Sequence, residues 1–166
     1  MPFIGIRSGA LATVLAVSIQ VRTIARTEAR QVTPGLIALL SELSERASSL
    51  EPAVVEARVR DDRVRVLAAT EDERLVGTAT LTAFVTLTDG LVGHVEDVVV
   101  SAAARGKGVG RLLMDALHDE ARGLQLRYVE LTTRPSREAA NALYQSLGYE
   151  PRATNVYRLR LDVMSD

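Results

Sequence analysis

Val98-Val99-Val100-Ser101-Ala102-Ala103-Ala104-Arg105-Gly106-Lys107-Gly108-Val109-Gly110-Arg111 is the stretch on which the reading of this chain turns. A β-branched run enters a short Ala-rich connector, and three glycines then follow at alternate positions, flanked by Arg and Lys. Beyond them Val109, Leu112, Leu113, Ala116, Leu117 and Ala121 recur at helical spacing. The stretch predicts a strand, a tight turn and a helix N-terminus in succession. The first turn of a helix offers N–H groups without intrahelical acceptors, at the positive end of the dipole. Glycine lets a ligand approach the backbone closely. Such an arrangement suits a phosphate or pyrophosphate.

Upstream, Val21 to Arg26 alternates apolar and polar residues as a first strand, and Thr33-Pro34 reads as a helix start with Thr as N-cap. A shorter helix is expected over Pro52 to Val59, and strands over Val64 to Thr70 and Leu75 to Leu87. Asp89-Gly90 then turns the chain into a strand over Leu91 to Val100. Downstream, Gly123 is the expected stop of the long helix. Arg127 to Thr132 reads as a fifth strand, Ser136 to Leu147 as a helix ended by Gly148, and Thr154 to Leu161 as a last strand. Antiparallel strands followed by a strand–helix–strand–helix–strand half imply an α/β fold of the α+β type. Its sheet is single, mixed and mostly antiparallel, with helices on both faces.

Composition narrows the functional classes. The 166 residues are 47% hydrophobic and 25% charged, with a net charge of −1, which suits one globular domain and gives no basic field for nucleic acid. There is no cysteine, so disulfides, thiolate metal sites and a cysteine nucleophile are excluded. His94 and His118 are too far apart in sequence to suggest a histidine metal centre; both read as surface residues, and no metal is expected. Residues 1–20 read as an N-terminal extension ahead of a domain over 21–166. A leader peptide and a natural start at Val21 are the competing readings. The apolar run there is shorter than a membrane span requires, so no membrane partner is expected.

At Arg105-Gly106-Lys107-Gly108-Val109-Gly110 the chain resembles the Arg/Gln-x-x-Gly-x-Gly signature of the GNAT N-acetyltransferase superfamily. Asn141-Ala142-Leu143-Tyr144-Gln145-Ser146-Leu147-Gly148-Tyr149 is similar to that superfamily's second signature. The likeness runs from about Val21 to about Leu161. Gly93-His94-Val95-Glu96-Asp97-Val98-Val99-Val100 further resembles the corresponding strand of glucosamine-6-phosphate N-acetyltransferases. Thr132 to Asn141 and Thr154 to Arg158 look more like other bacterial members.

The resemblance implies the GNAT fold, with the sheet splayed between its fourth and fifth strands. It implies acetyl-CoA as cosubstrate, a primary amine on a small molecule or protein as acceptor, and direct attack in a ternary complex. A bacterial, cytoplasmic homodimer is the family habit. Cofactor-binding candidates are Val98, Val99 and Val100 against the pantetheine arm, with the Val98 N–H aimed at the acetyl oxygen. Arg105, Gly106, Lys107, Gly108, Val109, Gly110 and Arg111 are candidates for the pyrophosphate, and Asn141 and Tyr144 contact the cofactor from the later helix. Glu96, placed by alternation on the face of Val98 and Val100, is the candidate base, with Asp97 on the opposite face as the second carboxylate. Tyr144 is the candidate proton donor to the leaving thiolate. Arg134, Arg137 and Asn155 are candidates for the acceptor pocket. A catalytically silent acetyl-CoA-binding module is the rival reading. A dinucleotide fold or P-loop is not, since Arg111 and Gly108 stand where those motifs need Gly and Ser or Thr.

Overall fold

The computed structural model describes residues 18–161, in two compact units that meet in sequence at Thr132 and Thr133. The first unit carries a five-stranded open sheet, with β1 (Ile19–Thr23), β2 (Val64–Glu71), β3 (Arg74–Thr86), β4 (Gly90–Val100) and β5 (Val129–Leu131) lying in chain order. Neighbours are antiparallel from β1 to β4, and β4 pairs β5 in parallel. β1 begins at Ile19, two residues before the expected domain start at Val21. The rest of the expected extension, residues 1–17, lies outside the described residues.

Helices cover both faces of this sheet. α3 (Val109–Gly123) packs on one: a Cβ at Gly77 would come within 3.0 Å of Leu113 and 3.1 Å of Val109. Leu67, Ala79, Leu81 and Val95 are buried by the same alternation, and Leu113, Met114 and Leu117 are sealed from solvent. On the other face, α1 (Ala29–Leu43) and α2 (Pro52–Arg60) bury Leu36, Val55 and Val59 against Val66 and Ala68.

Two helix boundaries that differ from the sequence reading have a clear local cause. α1 starts at Ala29, and Pro34 lies inside it. Glu28 fixes this earlier start: its carboxylate accepts the Ala25 N–H at 2.9 Å and both Arg22 guanidinium nitrogens at 2.7 Å. Thr33 does not cap; its hydroxyl donates back to the Ala29 carbonyl at 2.7 Å. Pro34 forfeits one helical bond, to a carbonyl on the exposed face where water can replace it. At the far end of α3 the left-handed residue is Gln125 (φ 57), with the Leu126 N–H returning to the Ala121 carbonyl at 3.0 Å, so Gly123 completes the helix rather than ending it.

The second unit contains α4 (Glu138–Ser146), which Gly148 (φ 89) terminates as expected. Residues 151–161 form no strand here and are exposed throughout, Val156, Tyr157, Leu159 and Leu161 included, which corrects the expected strand over Thr154 to Leu161. Alternation marks what a segment could bury, but a strand also needs a paired neighbour.

Candidate active site

The pairing of β4 with its neighbours shapes the first half of the site. β4 meets β5 at only three positions, Gly93↔Val129, His94↔Glu130 and Val95↔Leu131. Gly93 has no room for a side chain, since a Cβ would stand 2.7 Å from Leu126 and 2.8 Å from Leu81. Past Val95 the ladder to β5 stops, so Glu96 to Val100 run on along β3 alone. Leu131 is the last residue of β5, so the pairing ends where that short strand ends and leaves this edge of β4 unpaired by β5.

β4 is also bulged. From Thr78 to Thr80 β3 advances two residues while β4, from Val99 to Glu96, advances three. Asp97 absorbs the extra residue in a left-handed conformation (φ 52), which Asp tolerates better than most residues. Strict alternation fails here, so Asp97 is not placed on the face opposite Glu96. Both carboxylates line one cavity of about 300 Å³. Val66, Thr78, Thr80 and Thr82 line it from the sheet, Leu36, Leu40, Val55 and Val59 from α1 and α2, and the exposed Arg58 of α2 lines it as well. The spacing of residues within α1 and α2 shows which face is apolar, but not that it lines this cavity; Arg58 and Thr80 were therefore not foreseen as site residues.

Glu96 and Asp97 are both exposed, but their carboxylates have different neighbours. Oε1 of Glu96 lies 3.2 Å from Nε2 of His94. The other His94 nitrogen, Nδ1, lies 3.8 Å from a Glu130 carboxylate oxygen, so His94 is a partly buried residue between two acids rather than a surface histidine. The Asp97 carboxyl is held above its ordinary pKa. Loss of hydration is the main cause and the Glu96 charge adds to it, while Arg58 pulls the other way. A carboxyl whose folded pKa is raised makes the folded state bind more protons than the unfolded chain, so its ionisation lowers stability as pH rises. Asp97→Asn keeps the shape and tolerates the same φ. Because Asp97 is exposed and its charge is screened by solvent, only a small rise in the thermal midpoint is expected at pH 7, shrinking as pH falls and Asp97 protonates in the parent. Melting curves across pH 4 to 7 check this, and a gain independent of pH contradicts it.

β4 feeds the glycine turn. The Ala102 N–H donates to the Glu42 carboxylate at 3.0 Å, and the Arg105 Nε–H donates to the Val100 carbonyl at 3.2 Å. Gly106 (φ 77) and Gly108 (φ 80) are left-handed, and Gly108 is the N-cap of α3. A Cβ at either would meet nothing within 4 Å. Backbone conformation therefore demands these glycines, and the space beside them is open to a ligand. The Lys107 ammonium is held by Glu71 at 2.8 and 3.0 Å, so its side chain is tied to the end of β2. Val109, the first residue of α3, is buried against β3, and Arg111 lies on the exposed face of the helix. Open space, consecutive N–H donors and a helix N-terminus fit a pyrophosphate.

The second unit holds Tyr144 and Asn141. Tyr144 is buried, its ring edge-on to Tyr149 with centroids 5.8 Å apart. Burial raises the pKa of the Tyr144 phenol, against a smaller pull from Arg137. Burial and the neighbouring Tyr144 push Tyr149 up to about 12. Asn141 donates its amide hydrogens to the Arg134 and Arg137 carbonyls at 3.0 and 2.9 Å, fastening the preceding turn to α4. Arg134, Arg137 and Asn155 are exposed. Among the described residues no group of three or more His, Asp or Glu is placed to hold a metal ion, and no helix is long and apolar enough to cross a membrane.

Known proteins share both the sequence and the architecture. The profile of the family described as Acetyltransferase (GNAT) family matches residues 34–149. A protein of Oryza sativa subsp. japonica named probable glucosamine 6-phosphate N-acetyltransferase 2 is 37% identical over 134 residues, covering 74% of this chain and 78% of its own length. The L-2,4-diaminobutyric acid acetyltransferase of Halalkalibacterium halodurans is 37% identical over 84 residues, 51% of this chain and 43% of that protein. The crystal structure of a Trypanosoma brucei acetyltransferase superposes with a TM-score of 0.66 at 27% identity, covering 88% of this chain and all of that one.

Proposed function

Because this chain belongs to the acetyltransferase (GNAT) family, we propose that it moves an acetyl group from acetyl-CoA to a primary amine while both substrates are held together. One observation carries the reading: a strand whose pairing with β5 ends after Val95 runs into a left-handed glycine turn with open space beside it. The backbone of Arg105 to Arg111 holds the pyrophosphate, and Val98 to Val100 pair with the amide-rich pantetheine arm as a peptide adds to a sheet edge. The Val98 N–H donates to the acetyl oxygen. When bound, acetyl-CoA supplies the acetyl group as a thioester, which the amine takes by direct attack.

The remaining groups handle protons. Glu96, with Asp97 beside it, draws the proton from the incoming ammonium through water, and Tyr144 donates one to the departing sulfur. Asn141 holds α4 and the preceding turn in register for this role. The acceptor is a small-molecule amine, and the enzyme works in the cytoplasm as a homodimer.

Thiol release from acetyl-CoA across a library of amines, with calorimetric titration of acetyl-CoA alone, tests the reading. Micromolar to millimolar acetyl-CoA binding and amine-dependent thiol release are expected. Binding without release on every amine would instead identify a silent acetyl-CoA module.

A further inference from the structure

The cavity under α1 and α2 specifies an acceptor class that the relatives' names do not. We infer that it takes the apolar body of an aliphatic or arylalkyl monoamine, with the ammonium at Glu96 and Asp97, and that it does not suit an amino-sugar phosphate. The inference rests on the proposed amine acetylation for its use, but on the cavity alone for its chemistry.

Three observations carry it. Among the described residues the side formed by α1 and α2 is apolar apart from Arg58, with Leu36, Leu40, Val55 and Val59 lining it. The sheet side is poor in donors, because the buried Thr78 hydroxyl is already spent on the Leu67 carbonyl at 2.9 Å, leaving Thr80 and Thr82 as the other hydroxyls. The charged lining residues are two carboxylates, Glu96 and Asp97, and one cation, Arg58, with Glu96 and Arg58 both acting on Asp97. A sugar phosphate brings several hydroxyls and a dianion, each needing partners that aliphatic walls cannot give. Its phosphate would also lie near two carboxylates with one arginine to offset them. An alkylammonium reverses the account, since its charge meets the acids and its methylenes leave water. The volume of about 300 Å³ accommodates a chain of several carbons or a phenylethyl group.

Calorimetric binding of a homologous series to the full chain, without acetyl-CoA, reads this directly. Propylamine, butylamine, pentylamine and hexylamine are compared with hexan-1-ol and with glucosamine 6-phosphate. The expected result is a Kd that falls about threefold to fourfold with each added methylene. Hexan-1-ol should bind at least about tenfold more weakly than hexylamine, because it lacks the charge. A flat series, equal binding of the alcohol, or tighter binding of glucosamine 6-phosphate overturns the inference. Thiol release on the same samples judges the acetyltransferase reading separately. Length-dependent amine binding with no release sinks the catalytic proposal but not the cavity assignment. Release confined to glucosamine 6-phosphate does the opposite.

Discussion

Tyr144→Phe is expected to lower kcat by about 10²- to 10⁴-fold while leaving acetyl-CoA affinity largely intact. The ring is buried and packed edge-on against Tyr149, and Phe retains both the volume and that contact, so the fold should be kept. Only the hydroxyl is lost. Burial raises the pKa of that hydroxyl, so the phenol stays protonated through neutral pH, as a donor must. A thiolate leaves poorly without a proton when its conjugate acid has a pKa near about 8.5. The Phe variant should therefore recover part of its rate with an acetyl thioester of a more acidic thiol, whereas a variant damaged in packing gains nothing from a better leaving group. Steady-state kinetics with both thioesters, together with calorimetric acetyl-CoA binding, separate the two cases. Unchanged kcat would remove Tyr144 from the mechanism.

The glycine turn was legible because its signal is local. Left-handed φ at Gly106 and Gly108 is a property of the residue type, and α3 announces itself by spacing within its own 15 residues. The bulge at Asp97 was not legible. A β-branched run alternates in sequence whether or not an extra residue is inserted, and only the register against β3 shows the insertion. That one residue changed the reading of the site, since it brought together two carboxylates that alternation had separated. The start of α1 was misplaced for a related reason. Thr33-Pro34 carries a familiar helix-start pattern, but the bonding of Glu28 to Arg22 and Ala25 settles the start five residues earlier, at Ala29. The lining of the cavity depends on contacts between α1, α2 and the sheet, so Arg58 could be assigned no role from its own neighbourhood in the chain.

Removing both cavity carboxylates, as Glu96→Gln with Asp97→Asn, is expected to reduce the rate at pH 7 by about 10²- to 10⁴-fold. The two groups must be changed together, because they are adjacent, line the same cavity and each can stand in for the other; single variants should show losses that do not add. The signature lies in the pH profile. A primary alkylamine has a pKa near about 10.4, so at neutral pH nearly all of it is ammonium. With the carboxylates present, a proton can be drawn from the bound ammonium and the rate holds well below that pKa. Without them the reaction depends on the small fraction of free amine in solution, so the rate should climb about tenfold per pH unit toward the amine pKa. The deficit should therefore be large at pH 7 and small near pH 10. A purely structural role for these residues would depress the whole profile without moving its acidic limb. An unmoved limb in the double variant would place the base outside this cavity, and amine binding by the same variant would then show whether Glu96 and Asp97 serve only to seat the ammonium.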